Sequence, residues 1–239
     1  MFGRITIHVL AALAAASIFG CTEDPPTPIF IHGPDADGDV DGDGDADADF
    51  TGPDDGGECT GEDYPCGPYG NTWCDVVANH GFVPANDAAT ELAGFDGIFD
   101  LSDVIADESV VGILLFGTAG WCTFCSAEAP WLSSLYEEYQ DVDGQGHRVE
   151  FVAVVYQNDA GGPATAGYAT LYGERKGLQF PTVADTQGDI LYYFDSQSAP
   201  GNILIDATEM RIIDIIQGFD ELAIEGGLHQ LDGSVHTCD

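Results

Sequence analysis

The chain is poor in basic residues. Its 239 residues include five Lys and Arg against 42 Asp and Glu, which gives a formal net charge of −37 at pH 7. Proteins that bind nucleic acids need a basic surface to displace counterions from phosphate, so the composition excludes that class. The same deficit argues against electrostatic docking on anionic lipids. With 44% hydrophobic and 10% aromatic residues, the chain is still typical of a globular protein with a core.

The N-terminus lacks an apolar run long enough for a membrane span. Arg4 is followed by a mostly apolar segment over residues 5–19, shorter than the roughly 20 residues that a spanning helix needs. One positive charge before such a segment is typical of a secretory signal, and we predict a signal peptide over 1–20. Residues 18–21, Ile-Phe-Gly-Cys, resemble the bacterial lipobox, which implies lipid on Cys21. The prediction is a protein of the cell envelope, periplasmic or on the outer surface, held at the membrane by that lipid.

Two alternatives at this end stay open, an uncleaved anchor and an ordinary signal peptide with a chance Cys. Residues 21–58 are predicted to form an acidic, disordered linker, because residues 23–58 hold 13 of the 42 acidic residues and few apolar ones. A weaker reading is calcium binding, since Asp37, Asp39 and Asp41 match the opening of an EF-hand loop. The twelfth position of that loop is Ala48 rather than Glu, so no metal or other cofactor is predicted.

Seven cysteines divide into three groups. Cys21 is assigned to lipid, and Cys122 with Cys125 forms a CxxC motif. The other four are an even number in an oxidising compartment, which favours two structural disulfides over a zinc site with these spacings. Four cysteines allow three pairings. The preferred one joins Cys59 to Cys66 in a local loop and Cys74 to Cys238 across the domain.

The hydrophobic pattern predicts an α/β fold. Strands are expected at 98–102, 110–116, 149–155, 182–184, 202–206 and 211–216, and helices at 127–139, 165–176, 189–194 and 220–231. Strands that alternate with helices argue for a central sheet flanked by helices. We therefore expect a Cys-rich N-terminal extension over 59–94 and the folded domain over 95–239.

The CxxC motif is the strongest chemical signal in the sequence. Trp121-Cys122-Thr-Phe-Cys125 lies between a buried strand and an amphipathic helix. At a helix N-terminus, free backbone N–H groups and the helix dipole stabilise a thiolate on the first Cys. That thiolate can attack a substrate disulfide, and a second Cys one turn later can resolve the mixed disulfide. The context predicts a redox dithiol rather than half of a metal site.

These residues resemble the TlpA/ResA group of extracytoplasmic thiol–disulfide oxidoreductases, which are redoxins with a thioredoxin-like fold. The matching segments are the W-C-x-x-C-x-x-E-x-P of residues 121–130, Phe-Pro at 180–181 and A-P-x-x-x-L-I-D at 199–206. The resemblance covers roughly residues 95–232. It implies a three-layer sandwich with a central mixed sheet, and an enzyme that acts on protein thiols and disulfides.

The resemblance also implies roles for individual residues. Cys122 would be the nucleophile and Cys125 the resolving thiol, and Pro200 would form the cis-proline loop facing them. Ala199 would pair with the substrate backbone beside that loop. Glu128 matches an active-site Glu proposed to exchange protons with the dithiol, although a solvated acid on the first turn fits equally well. Trp121 is a candidate substrate contact, or else a lid or core aromatic.

Three other functions are weighed against this one. A peroxiredoxin-like peroxide reductase would use Thr118 four residues before Cys122, but the Pro of that motif is missing. A copper chaperone would need a different Cys spacing. A surface lipoprotein that keeps the fold for binding, with the CxxC as a permanent disulfide, is the main alternative.

Overall fold

The computed structural model describes residues 64–194 and 199–231, all within one compact unit. The predicted signal segment, Cys21, the acidic linker with Asp37, Asp39 and Asp41, and the cysteines at 59 and 238 lie outside the described residues. The strands are β1 (Val83–Pro84), β2 (Val110–Ala119), β3 (Arg148–Gln157), β4 (Thr182–Ala184), β5 (Gly201–Asp206) and β6 (Arg211–Gln217). The helices are α1 (Asp87–Thr90), α2 (Leu101–Ile105), α3 (Thr123–Tyr136), α4 (Ala166–Lys176) and α5 (Glu221–Leu228).

The six strands form one mixed sheet in the order β1-β4-β3-β2-β5-β6. β2 pairs parallel with β3 and antiparallel with β5, so it lies at the centre. Every residue of β2 is buried, which explains its continuous apolar sequence, since a central strand is covered on both faces. The predicted α/β fold, with a central mixed sheet flanked by helices, is confirmed.

One face of the sheet is covered by α3, α4 and α5. The Thr118 hydroxyl of β2 hydrogen-bonds the Tyr172 hydroxyl of α4 at 2.6 Å. On β5, Asn202 contacts α3, and a Cβ at Gly227 of α5 would meet the side chain of Leu204. Right-handed crossovers from β2 to β3 and from β3 to β4 place α3 and α4 on the same side. We call this side the helical face.

The opposite face is covered by the N-terminal segment and a 3-10 helix. Val76 bridges to Arg211 on β6, and Val83 pairs with Ala184 on β4. Residues 76–83 therefore run from one edge of the sheet to the other. The 3-10 helix Asp189–Tyr192 meets them there, where the Tyr193 hydroxyl accepts a hydrogen bond from the Ala78 N–H at 3.0 Å. We call this side the strap face.

Two sequence predictions fail at the level of local structure. Residues 98–102 do not form a strand: Phe99 makes a single bridge to Phe82, and Asp100 caps α2 through Ser102 and Asp103. The predicted helix over 189–194 is the short 3-10 helix instead. In the first case the side chain of Asp100 supplies a capping box, and that local bond favours a helix over an extended chain.

Other predicted elements are confirmed with shifted ends. α3 begins four residues before the expected residue 127, because Cys122 caps it, and it passes into a 3-10 turn at Glu137–Gln140. Pro130 lies inside α3. α4 ends at Gly177 as expected, with a left-handed φ of 68°. No helix among residues 64–194 and 199–231 is long and apolar enough to cross a membrane.

Candidate functional site

Cys122 and Cys125 form a disulfide at the start of α3. Their Cα atoms are 5.3 Å apart. Cys122 is the residue that caps the helix, and its Sγ accepts a hydrogen bond from the Cys125 N–H at 2.9 Å. The same N–H group would stabilise a thiolate on Cys122 once the disulfide is reduced. The sequence prediction of a CxxC at a strand-to-helix junction is thus matched by the geometry.

The disulfide is largely covered, but its neighbours are exposed. Cys122 is 3% exposed and Cys125 fully buried, whereas Trp121 is 42% and Phe124 is 67% exposed. The Trp121 indole N–H donates to Gln157 Oε1 at 2.8 Å, which fixes the ring at the carboxyl end of β3. Trp121 is therefore not a core aromatic. Large aromatic side chains are more often buried in a folded domain, and here two exposed ones lie beside one disulfide.

The loop before β5 lies at the same end of the sheet. Ala199-Pro200 is a cis peptide, as the resemblance implies. Gly201 pairs with Gly117 near the end of β2, which leads into Trp121 and Cys122. The Pro200 carbonyl accepts a hydrogen bond from the Gly218 N–H at 2.7 Å, so the loop is tied to the end of β6.

Glu128 is fully buried on the helical face, so the reading of a solvated first-turn acid is wrong. Its Oε1 accepts a hydrogen bond from Asn202 Nδ2 at 2.6 Å, and its Oε2 has no partner among the described residues. Burial raises the pKa of Glu128 to about 8, because an ionised carboxylate is disfavoured away from water. The Asn202 bond opposes this shift in pKa. Glu128 is consequently neutral over most of the physiological range and can still titrate near it.

A second pair of polar side chains lies close to Glu128. Tyr172 of α4 and Thr118 of β2 share a hydrogen bond in the interior. Burial is the main cause that raises the pKa of Tyr172 to about 12, and the charge of Glu128 contributes to it. Thr118, the residue that a peroxidase would need beside its Cys, is thus fully buried and already bonded to Tyr172. This arrangement gives no support to peroxide chemistry.

Asn202 was missed by the sequence reasoning. The signal was present, because Asn202 is a polar residue at the head of the apolar run that forms β5. Side chains alternate along a strand, and register places Asn202 opposite Phe116 on the helical face, where it reaches α3. In a pattern analysis, a polar residue in a buried strand counts only as a break in the apolar run. The sequence does not show that its side chain is directed toward a carboxyl.

Of the four cysteines that are predicted to form structural disulfides, the structure describes two. Cys66 and Cys74 are each disulfide-bonded. Cys59 and Cys238 are outside the described residues, so the proposed pairing stays a prediction. Within the described part of the chain, no group of three His, Cys, Asp or Glu is placed to hold a metal ion.

The chain matches one family model and several known proteins. The AhpC/TSA family model matches residues 84–213. The thiol-disulfide oxidoreductase ResA of Geobacillus kaustophilus is 32% identical over 102 residues, which are 43% of this chain and 52% of that protein. ResA of Geobacillus thermodenitrificans is 33% identical over 114 residues, covering 45% and 59% of the two chains. The chain thus spans between half and three fifths of the length of these relatives.

Solved structures are similar at lower identity. A protein described as thiol:disulfide interchange protein DsbE from Chlorobium tepidum is 19% identical, with a TM-score of 0.49 over 68% of this chain and 99% of that one. The exposed lipoprotein thioredoxin of Streptococcus pneumoniae is 22% identical, with a TM-score of 0.44 over 64% of this chain and 99% of the other.

Proposed function

This chain belongs to the AhpC/TSA family, and from that premise we propose that it is a thiol–disulfide oxidoreductase that reduces or exchanges the disulfides of other proteins. The observation that carries the proposal is the Cys122–Cys125 disulfide at the first turn of α3, beside exposed Trp121 and Phe124. A disulfide at a helix start has backbone donors ready for a thiolate, and exposed aromatics offer a contact surface for a polypeptide.

The reaction proceeds in two exchange steps. The Cys122 thiolate attacks one sulfur of a substrate disulfide, forms a mixed disulfide and releases the other substrate sulfur as a thiolate. The Cys125 thiolate then attacks Cys122 Sγ, which closes the enzyme disulfide and releases the second substrate sulfur. Two electrons and two protons have moved from the enzyme dithiol to the substrate. A second dithiol protein must then reduce the enzyme disulfide for another cycle.

Each neighbouring residue has a defined part in this scheme. Cys122 and Cys125 react, and Glu128 exchanges a proton with the dithiol. Ala199 and Pro200 hold the substrate backbone, while Trp121 contacts its side chains. The support for these assignments is position: all six residues cluster where β2 ends, α3 begins and β5 begins.

The proposal extends to location. An N-terminal signal segment over 1–20 and lipid on Cys21 would place the protein in the cell envelope, attached to a membrane surface. The acidic residues of 21–58 would extend this tether by mutual repulsion and hold the domain away from the membrane. An envelope location also suits the disulfides of Cys66 and Cys74, because such bonds persist in oxidising compartments.

Trapping tests the function. The Cys125→Ser variant keeps the nucleophile and lacks the resolving thiol, so it is expected to stall as a mixed disulfide that links Cys122 to a partner or a disulfide-bonded model peptide. The adduct is measured by non-reducing electrophoresis and mass spectrometry. Cys122→Ser is the matched control and should trap nothing. Absence of any adduct with Cys125→Ser, under conditions in which the wild-type chain meets the same substrates, contradicts the proposal.

A second candidate function follows from the burial of both cysteines. With Cys122 only 3% exposed, the disulfide would serve as a permanent brace in a binding protein. A reduction potential below about −300 mV supports this reading, because such bonds resist physiological thiols. A potential in the range of known exchange proteins, roughly −270 to −120 mV, supports the enzyme. Equilibration of the domain with glutathione and dithiothreitol buffers measures it.

A further inference from the structure

Asn202 contacts Glu128, a buried carboxyl one helical turn after Cys125. It lies on β5, two residues after Pro200, and its Nδ2 donates to Glu128 Oε1 at 2.6 Å. Both side chains are fully buried. The bond therefore joins the strand that begins at the cis-proline loop to the helix that carries Cys122 and Cys125.

The carboxyl has no other polar partner in the described residues. Glu128 Oε2 and Asn202 Oδ1 are both without a hydrogen bond. Glu128 lies one helical turn after Cys125 on α3. Its charge acts on Tyr172 of α4, whose hydroxyl is hydrogen-bonded to Thr118 of β2. None of these groups is a cation. An ionised Glu128 is thus stabilised by a single donor, the Asn202 amide.

The position of that donor is fixed by the sheet. Asn202 pairs with Phe116 on β2 on one side and with Ile216 on β6 on the other. Its backbone is therefore held from both sides, and strand alternation directs its side chain to the helical face. A short amide on a central strand loses little conformational freedom on bonding, so it can hold the carboxyl in one orientation.

We propose that Asn202 is a positioning residue that orients the Glu128 carboxyl and keeps its ionised form accessible, so that this carboxyl can take a proton from the dithiol. The inference rests on the proposed function and adds one residue, Asn202, to the proposed mechanism. Without the amide, an ionised carboxylate would be buried with no donor at all, and a buried charge without a partner neutralises instead.

The proton has a defined route in the resolving step. The Cys125 thiol gives its proton to the ionised Glu128 carboxyl, and the resulting thiolate attacks Cys122 Sγ of the mixed disulfide. The bond between Cys122 and the substrate sulfur breaks, and that sulfur leaves with the electron pair as a thiolate. Glu128 ends the step protonated, and the substrate thiolate takes a proton from water. If Glu128 were permanently neutral, it could not accept the proton.

The test is a titration of one carboxyl in three variants. Asn202→Leu removes the donor, and Asn202→Thr replaces the amide with a hydroxyl donor that suits a strand. Thr182→Val is the matched control, because it also removes a buried polar group of the sheet, away from Glu128. The carbon-13 shift of the Glu128 carboxyl carbon is followed against pH, with Glu128→Gln as the assignment reference.

The expected result is a graded shift of the titration midpoint. Loss of a hydrogen bond to a charged group should move the Asn202→Leu midpoint upward by about one to two pH units. Asn202→Thr should lie between that variant and the wild type, and Thr182→Val should match the wild type. The pH at which the exchange rate rises should move with the midpoint. An unchanged midpoint in Asn202→Leu overturns the proposal. If the leucine variant does not fold, Asn202→Ala, which also lacks a donor, takes its place and is judged by the same criterion.

The two proposals fail in different ways. A wild-type chain without disulfide exchange overturns the proposed function, whatever the carboxyl titration gives. Normal disulfide exchange, together with a Glu128 titration midpoint that is the same in the wild type and the Asn202 variants, overturns only the positioning role. The positioning role is also overturned if the midpoint shifts but the pH profile of the exchange rate does not. The proton of Glu128 would then have no part in the reaction.

Discussion

The two faces of the central sheet are built from different chemistry near the disulfide. On the helical face, Glu128 and Asn202 are buried polar side chains with unsatisfied oxygen atoms. On the strap face, the ring of Phe194 lies directly against Gly117 and Gly201. The first arrangement lowers stability, because buried polar groups without partners are unfavourable. The second raises it through close apolar packing.

The comparison teaches where this domain keeps its reactive groups and where it gains stability. A carboxyl that must change its protonation state needs a site that is dry but not fully bonded, and the helical face provides one. On the strap face, the ring of Phe194 fills the space over Gly117 and Gly201, which have no side chains to obstruct it. The titratable carboxyl and the packed aromatic ring thus lie on opposite faces of the same sheet.

The largest expected effect comes from replacing the buried carboxyl. The folded protein holds Glu128 at a pKa of about 8, above the ordinary 4.5, so the unfolded chain ionises first. The stability associated with neutral Glu128 is complete below pH 4.5 and is lost as the pH rises through 8. Glu128→Gln has no such loss and can bond Asn202 through its amide. At pH 9 the variant should be more stable by roughly 5 kcal/mol.

Urea unfolding at several pH values, from 4 to 9 in matched buffers, would measure this difference. The difference between variant and wild type isolates Glu128 from the many other acidic residues, which titrate in both proteins. A difference in stability that stays constant across this range would mean that the pKa of Glu128 is not raised, and the contrast between the faces would be lost.

The next effect is on the strap face. A Cβ at Gly117 would meet the Phe194 ring, and one at Gly201 would lie 2.5 Å from it. Gly117→Ala should therefore lower the free energy of unfolding by about 1–3 kcal/mol, because the ring must move out of a packed site. Urea unfolding of the oxidised domain measures it. If Gly117→Ala is as stable as the wild type, the ring does not pack there as described.

The smallest effect is expected on the outside of α5. Gly226 is exposed and a Cβ there would meet nothing within 4 Å, so Gly226→Ala should stabilise the domain by about 0.5–1 kcal/mol. The neighbouring Gly227→Ala is the matched control, since its Cβ would meet Leu204 of β5. Thermal unfolding of the two variants should give shifts of opposite sign. Shifts of equal sign would contradict the orientation of α5 on the helical face.

The strands and the reactive motif could be predicted from the sequence because their signals are local. β2 is a continuous apolar run over 110–116, and β3 is apolar over 149–155 apart from Glu150. Such runs of strand length indicate central strands. The CxxC before an amphipathic segment indicated a capped helix. α3 began earlier than expected because a cysteine served as its N-cap, a residue type that capping preferences do not favour.

The strap could not be predicted, because its contacts are distant in sequence. Residues 76–83 look like a turn-rich extension, yet Val76 meets Arg211 and Val83 meets Ala184 at opposite edges of the sheet. The residues next to this segment in the sequence do not indicate which strands it contacts. The capping box at Asp100 was readable in principle, but the apolar residues around it favoured a strand.

The sequence by itself determined the α/β character, the central strands and the position of the dithiol, since each depends on neighbours along the chain. Only the tertiary structure decided that Glu128 is dry, that Asn202 is its partner 74 residues away, and that a strap closes the other face. Burial and long-range bonds depend on which surfaces meet after folding. A glutamate one helical turn after a cysteine gives the same sequence pattern whether its carboxyl is buried or exposed to water.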